Sequence, residues 1–186
     1  MSLRLALPLM LLASGCAAAL KYNERWKPEA PLPRVVNLDV IDARPEDQGG
    51  KDPQQVGIMR GSYGNRAAFM AEDPGLPVEM ARRALVDALH GAGVEASLKA
   101  PMTLRAKLTR YWMDGYVGSG ATVEVDLGLF AADGSPVWTQ KVTGDEGGPV
   151  PSYGAASAVL NTALEHLATD ANARFREDGF QQALGQ

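Results

Sequence analysis

The segment MTLRAKLTRYWMDGYVGSGATVEVDLGLF, residues 102–130, decides the fold of this chain. Apolar and polar residues alternate from Met102 to Thr109 and again from Thr122 to Leu129, a pattern typical of a strand with one buried face. The three glycines between residues 114 and 120 predict a turn between these strands. The segment therefore predicts a long β-hairpin whose apolar face needs a second layer to cover it.

Further strands are predicted on both sides of this hairpin. One begins at Arg34, after which apolar residues recur at alternate positions, and a short one covers residues 94–98. Asp133-Gly134 is a dipeptide typical of tight hairpin turns, so residues 137–143 are predicted to return beside the second strand of the central hairpin. The stretch 45–74 predicts mostly surface loop, with one possible short strand at residues 56–60.

Two helices are predicted from the spacing of apolar residues. The first begins at Pro77, since proline is accepted at the first helical position, and ends at Gly91 or Gly93. The second begins after Ser152, whose side chain can cap it, and ends at Gly179. Both helices carry one apolar stripe, which should face the sheet.

This order of elements predicts an α+β fold, a two-layer sandwich in which one mixed or antiparallel sheet carries two helices on one face. A single domain is predicted over residues 34–179, followed by a frayed tail over residues 180–186.

The first 15 residues are typical of a secretory signal, with Arg4, an apolar run and small residues before Cys16. Leu12-Ala13-Ser14-Gly15-Cys16 resembles the lipobox of bacterial lipoproteins, in which the cysteine thiol receives a diacylglycerol before cleavage on its amino side. An ordinary signal peptide cleaved near Ala19 is the alternative. Cys16 is the only cysteine and can form no internal disulfide, which favours lipidation.

Residues 16–33 are predicted to be the lipidated start of the mature chain and a flexible tether, because they contain three prolines and little apolar periodicity. Tyr22 and Trp26 could enter the membrane interface or pack on the domain. The apolar run before Cys16 is too short to span a membrane. Ala17, where an aspartate would favour inner-membrane retention, predicts an outer-membrane protein that is anchored by its lipid and faces the periplasm.

Composition and motifs argue against several functions. The net charge is −4 with charges of both signs mixed along the chain, so nucleic acid is not an expected partner. The chain has two histidines and lacks nucleophile, phosphate-loop and dinucleotide motifs, so we expect no enzyme, cofactor or metal site. His90 is expected at a helix end and His166 on a helix surface.

Two groups of residues remain as candidate sites. Asp42 and Arg44 follow the first strand, where they could bind a ligand or cation, or fix the next loop to the sheet by charged hydrogen bonds. Tyr111, Trp112 and Tyr116 flank the glycine-rich turn, where they could bind a partner protein or cover the end of the core.

The order of elements and the Asp42-Ala43-Arg44 motif resemble the YajG-like bacterial outer-membrane lipoproteins over roughly residues 35–176. The resemblance implies a non-enzymatic periplasmic accessory domain. We therefore expect an interaction module of a cell-envelope assembly, with an envelope protein or a second copy of the chain as partner. The alternative is a small-ligand or glycan-binding lipoprotein that uses the sheet face opposite the helices.

Overall fold

The computed structural model describes residues 17–116 and 119–185, and of Ala17, Ala18 and Ser62 it describes only the backbone. The described residues form one eight-stranded sheet and three α-helices. The strands are β1 (Ala17–Ala18), β2 (Arg34–Asp42), β3 (Gln55–Arg60), β4 (Arg66–Ala71), β5 (Val94–Ala96), β6 (Thr103–Gly115), β7 (Gly120–Phe130) and β8 (Pro136–Gly147). The helices are α1 (Leu76–Gly91), α2 (Tyr153–Arg176) and α3 (Asp178–Leu184).

Strand β6 is the centre of the sheet. Along one side it pairs antiparallel with β7, which pairs in turn with β8. Along the other side it has two parallel partners in succession, β2 beside its first half and β3 beside its end. Strand β5 lies outside β2, and β4 and then β1 lie outside β3. The sheet is therefore mixed, and it curls into a half-barrel.

The helices cover one face of this sheet, as the alternation in β6 and β7 predicts. Leu104, Ala106 and Leu108 of β6 are fully buried against them. Helix α2 crosses β8 at Gly144, where a Cβ atom would lie 1.9 Å from the carbonyl oxygen of Ala163, so only glycine allows this approach. The predicted α+β class and the mixed sheet covered by helices on one face are confirmed.

The structure has more order between residues 45 and 74 than the sequence predicts. The short strand expected at residues 56–60 is present as β3, but it is joined by β4, an alanine-rich strand that carries little β-propensity of its own. Pairing with β3 and β1, together with burial of Phe69, stabilises β4. Tertiary pairing, which local sequence does not reveal, decides this element.

The predicted frayed tail is also different. Glu177 adopts an extended conformation that ends α2, and α3 then folds back so that Phe180 is fully buried. The ring of Phe180 lies 4.9 Å from the rings of both Phe175 and Trp138, measured between centroids. This aromatic cluster provides the apolar contact that orders the tail.

Candidate functional site

The described chain begins at the edge of the sheet. Cys16, the predicted lipidation site, lies outside the described residues, but the next two residues form β1, which pairs in parallel with Met70 and Ala71 of β4. Side chains of α2 hold the residues that follow. The hydroxyl of Ser157 accepts from the Ala19 amide at 3.2 Å, and the Asn161 amide group bonds both Ala19 and Lys21.

Asp87 of α1 holds the next part of the same segment. Its buried carboxylate accepts hydrogen bonds from the Tyr22 hydroxyl at 2.5 Å, the Arg25 amide at 2.9 Å and the Trp26 amide at 2.7 Å. Burial, and then the hydrogen bond and charge of Asp87, raise the pKa of Tyr22 well above its usual value. Leu20 and Tyr22 join the core.

The structure thus differs from the predicted flexible tether over residues 19–26. These residues form no helix or strand, but they pack across the helices because Asp87 supplies acceptors for their backbone. Of the two alternatives for Tyr22 and Trp26, the structure has the one in which both pack on the domain. The domain therefore begins almost directly after Cys16.

Asp42 and Arg44 form a bidentate ion pair at the end of β2. Arg44 Nε and Nη2 donate to the two Asp42 carboxylate oxygens at 2.9 and 2.7 Å, and the guanidinium also donates to the carbonyl oxygens of Pro53 and Gln55. Partial burial favours the neutral acid, but the hydrogen bonds and charge of Arg44 outweigh it and hold the pKa of Asp42 below its usual value.

This arrangement fits the structural role predicted for the pair rather than ligand binding. The Arg44 side chain is fully buried, and Gly49 packs so closely over it that a Cβ atom there would lie 2.4 Å from Arg44 Nη1. The guanidinium thus fixes the loop between β2 and β3, where β6 changes its pairing partner. The described contacts use four of the five guanidinium N–H groups within this chain, so the guanidinium offers little to a ligand.

The predicted aromatic cluster does not form one exposed surface. Tyr111 is fully buried and Trp112 is 8% exposed, so both belong to the interior and not to a partner-binding surface. An irregularity in pairing between Leu108 and Arg110 turns Tyr111 toward the main core, whereas Trp112, the next residue, points to the other face and is buried outside that core. Burial raises the pKa of Tyr111, and the nearby charge of Arg44 only partly offsets this effect.

Tyr116 lies at the turn after β6 and takes part in a cluster that the sequence analysis missed. The guanidinium groups of Arg60 and Arg66, which flank the turn of the β3–β4 hairpin, each lie 5.3 Å from the centre of its ring. The signal that could have found them is the segment Arg60-Gly61-Ser62-Tyr63-Gly64-Asn65-Arg66, a glycine turn with an arginine at each end. Its approach to Tyr116 depends on the pairing of β3 with β6.

The sheet face opposite the helices carries a shallow cavity of about 440 Å³. Three basic residues and one acid line it: Arg105 and Lys107 from β6, Lys141 from β8, and Asp126 from β7, which lies 3.7 Å from Lys141. The ring of Phe130 lies over Gly128, and the Arg105 guanidinium stacks 5.0 Å from the centre of that ring. Planar aromatic and guanidinium groups beside amines are suited to an anionic ligand.

Strand β8 is an edge of the sheet, since among the described strands it pairs only with β7. Helix α2 covers the second half of this edge: the Thr143 amide donates to Asp170 at 3.0 Å, and the Asp145 carbonyl contacts His166 at 2.7 Å. Thr139, Gln140 and Lys141 in the first half are all exposed. Three exposed residues in succession indicate that α2 does not reach this part of the edge.

The two histidines lie apart. His90 is at the end of α1, 3.5 Å from the Glu95 carboxylate, and His166 is on α2, 3.7 Å from Glu146. Across the part of the chain that the structure describes, no group of histidine, cysteine and acidic residues could hold a metal ion. Among the same residues, no helix has both the length and the apolar character required to cross a membrane.

Comparison with solved structures shows the fold. The chain superposes on protein XCC0632 from Xanthomonas campestris, of the DUF330 family, with a TM-score of 0.61 and 18% identity over 91% of this chain and 98% of that one. An uncharacterized protein matches with a TM-score of 0.52 and 14% identity over 76% of this chain and 92% of its own.

No protein-family model matches the sequence, and no curated protein matches it either. The two structural relatives therefore define a shared α+β fold that extends over most of the chain. Neither is described as a YajG-like lipoprotein, so the resemblance to that family stays a prediction.

Proposed function

We propose that the protein is a lipid-anchored lipoprotein of the bacterial cell envelope that acts as a non-enzymatic interaction module. In this proposal it is attached through Cys16 to the periplasmic face of the outer membrane. Its partner is an envelope protein or a second copy of the chain. The observation that supports it is the open first half of the β8 edge.

The backbone groups at this edge are oriented for pairing. In an antiparallel pair the N–H and C=O of one residue point to the same side, and the side alternates along the strand. The backbone groups of Thr143 and Asp145 point away from β7 and toward α2. The pairing of β8 with β7 has no irregularity between Trp138 and Gly147. The backbone N–H and C=O groups of Thr139 and Lys141 therefore also point away from β7.

An unpaired strand edge favours the addition of a strand from another chain, with the main-chain hydrogen bonds providing affinity. The N–H and C=O groups of Thr139 and Lys141 provide four hydrogen-bonding groups for such a strand. Lys141 is held by Glu124 at 3.0 Å on the open face, which leaves the backbone edge accessible. The exposed side chains beside the edge are polar, which suits a partner that associates through its backbone.

The test is proline substitution at the edge. Thr139→Pro removes an amide that does not pair with β7, so the β7–β8 ladder is retained while strand addition is blocked. Thr139→Ala, which keeps the amide, is the matched control. In intact cells, chemical cross-linking followed by mass spectrometry should recover a partner with the parent chain and with Thr139→Ala, and lose it with Thr139→Pro.

Two results would contradict this proposal. One is recovery of the monomer alone from the parent chain in repeated experiments. The other is an unchanged cross-linked partner with Thr139→Pro when its thermal unfolding matches that of Thr139→Ala.

The cavity on the open sheet face supports a second candidate, a small-ligand or glycan-binding function. The stacked pair of Arg105 and Phe130, beside Lys107 and Lys141, suits an acidic sugar better than a neutral one. NMR titration with a uronic acid oligosaccharide should shift the amide signals of residues around Gly128, and Arg105→Ala should abolish the shifts. The absence of shifts from either this oligosaccharide or a neutral glucose oligosaccharide would exclude glycan binding at this cavity, and equal shifts from both would exclude the preference for an acidic sugar.

A further inference from the structure

Two turns lie at one end of the sheet, and the amino end of β1 is directed toward them. Strands β3 and β6 run parallel, with Met59 beside Gly115, so the turn of the β3–β4 hairpin lies at the same end as the turn after β6. Strand β1 runs parallel to β4, so its amino end points toward that hairpin turn. Strand β1 therefore lies beside the last residues of β4, with its amino end directed along that strand toward Tyr63 and Tyr116.

The hairpin turn is a local positive region in an acidic protein. The segment 60–71 contains Arg60 and Arg66 and no acidic residue, although the net charge of the chain is −4. Both arginines are exposed and flank the Tyr116 ring. Asp114, whose carboxylate accepts from the Tyr116 amide at 2.9 Å, is the acid beside them, so the cluster keeps an excess of positive charge.

Tyr63 projects from the hairpin turn. Its side chain is fully solvent-exposed, and its backbone has a φ of +59°, a left-handed conformation that is uncommon for a residue with a side chain. Hydrogen bonds from the Gly61 amide to Asn65 and from the Gly64 amide to Gly61 close the turn around it. A tyrosine between two arginines has the amphipathic character of residues at membrane–water interfaces.

We propose that Arg60, Tyr63, Arg66 and Tyr116 form a membrane-contact surface that seats the domain on anionic phospholipid headgroups beside its own lipid anchor. This inference rests on the proposed lipidation of Cys16. Ala17 pairs with Met70, and the four steps along β4 from Met70 back to Arg66 span about 13 Å at the rise of a β-strand. The hairpin turn is thus close enough to the anchor to touch the same bilayer.

The first test measures contact in the lipidated protein. Because the only native thiol would carry the lipid, an introduced cysteine is the one free thiol for a fluorescent label. Asn65→Cys places the label in the hairpin turn, and Lys99→Cys places it in the exposed loop before β6, at the other end of the sheet. In vesicles of phosphatidylcholine and phosphatidylglycerol with a headgroup quencher, we expect several-fold stronger quenching at residue 65 than at residue 99.

The second test measures affinity without the anchor. The chain from residue 16 onward, with Cys16→Ser, contains every described residue and is sedimented with vesicles. We expect the double variant Arg60→Ala/Arg66→Ala to bind phosphatidylglycerol vesicles roughly 30-fold more weakly, since each basic residue near an anionic surface contributes about fivefold. The control is Arg34→Ala/Lys51→Ala, which removes the same charge from exposed sites elsewhere and should bind as the parent does.

The outcomes separate the two proposals. A chain produced in its native bacterium that does not fractionate with membranes would overturn the lipid anchor itself. An anchored protein with equal quenching at residues 65 and 99 would overturn the membrane-contact surface alone. Equal binding of the two double variants, or equal binding to vesicles with and without phosphatidylglycerol, would overturn the part of the proposal that depends on charge.

Discussion

At the scale of single residues, two buried tyrosines show how environment decides the role of the same group. The Tyr22 hydroxyl donates to the Asp87 carboxylate. The Tyr111 hydroxyl is fully buried and has no hydrogen-bond partner among the described residues. A paired buried hydroxyl stabilises the fold, whereas an unpaired one carries a desolvation cost without compensation.

Substitution by phenylalanine should therefore have opposite effects at these sites. We expect Tyr22→Phe to lower the free energy of unfolding by about 1–2 kcal/mol, because the buried Asp87 carboxylate loses one hydrogen-bond donor. We expect Tyr111→Phe to leave that free energy unchanged or to raise it by about 1 kcal/mol. Urea unfolding of both variants beside the parent measures the difference, and equal destabilisation would refute it.

The same residues determine a response to alkaline pH. Burial raises the pKa of both hydroxyls in the folded chain, while the unfolded chain ionises near pH ~10. Above that pH the unfolded state binds fewer protons than the folded state, so stability falls as pH rises. Tyr111→Phe should make this fall shallower, and unfolding curves between neutral and alkaline pH measure it. A slope identical to that of the parent would contradict the argument.

At the scale of elements, α3 shows how a short segment is ordered by packing. Its seven residues are too few to form a stable helix alone. Phe180 holds it by inserting between Phe175 of α2 and Trp138 of β8. The helix thus covers the core beside the first residues of β8.

Removal of this contact should release α3. We expect Phe180→Ala to lower the free energy of unfolding by about 3 kcal/mol or more, as is typical of truncating a buried aromatic residue. Amide hydrogen exchange in residues 178–184 should also become faster in this variant. Gln182→Ala, at an exposed position of the same helix, is the control and should change neither quantity. If the amides of α3 still exchange slowly in Phe180→Ala, other contacts order this helix.

At the scale of the whole molecule, the way the chain enters the domain determines how far it stands from a membrane. Because β1 pairs with β4 and residues 19–26 pack on α1 and α2, the predicted reach of an 18-residue tether is not available. Strands β1 and β8 are opposite edges of the sheet, so a partner that adds to β8 would lie within about one sheet width of the bilayer to which Cys16 is joined in the proposed function.

Loss of the thiol should separate anchoring from folding. We expect Cys16→Ser to move the protein from the membrane fraction to the soluble fraction of cell extracts, because no other residue would carry the lipid. Its midpoint of thermal unfolding should stay that of the parent, since the substitution keeps the contacts by which Ser157 and Asp87 hold residues 19–26 on the domain. Ala19→Ser, which keeps the thiol, serves as the control. Membrane retention of Cys16→Ser after cleavage of its signal would refute lipid anchoring.

The sequence by itself determined the β6–β7 hairpin, its return strand β8, strand β2 and the two long helices. Each of these depends on the spacing of apolar residues within one segment, and that spacing is visible locally. The α+β class follows from their order. The Asp42–Arg44 pair was also predictable, because its two members lie only two residues apart.

Only the tertiary structure decided the contacts between distant segments. Tyr22 and Asp87 are 65 residues apart, and Ala19 and Ser157 are 138 apart, so nothing in either local pattern indicates the other. The same reason applies to β1 beside β4 and to the meeting of Arg60, Arg66 and Tyr116. Local periodicity sets which face of an element is apolar, but the choice of partner depends on the free energy of packing the whole chain.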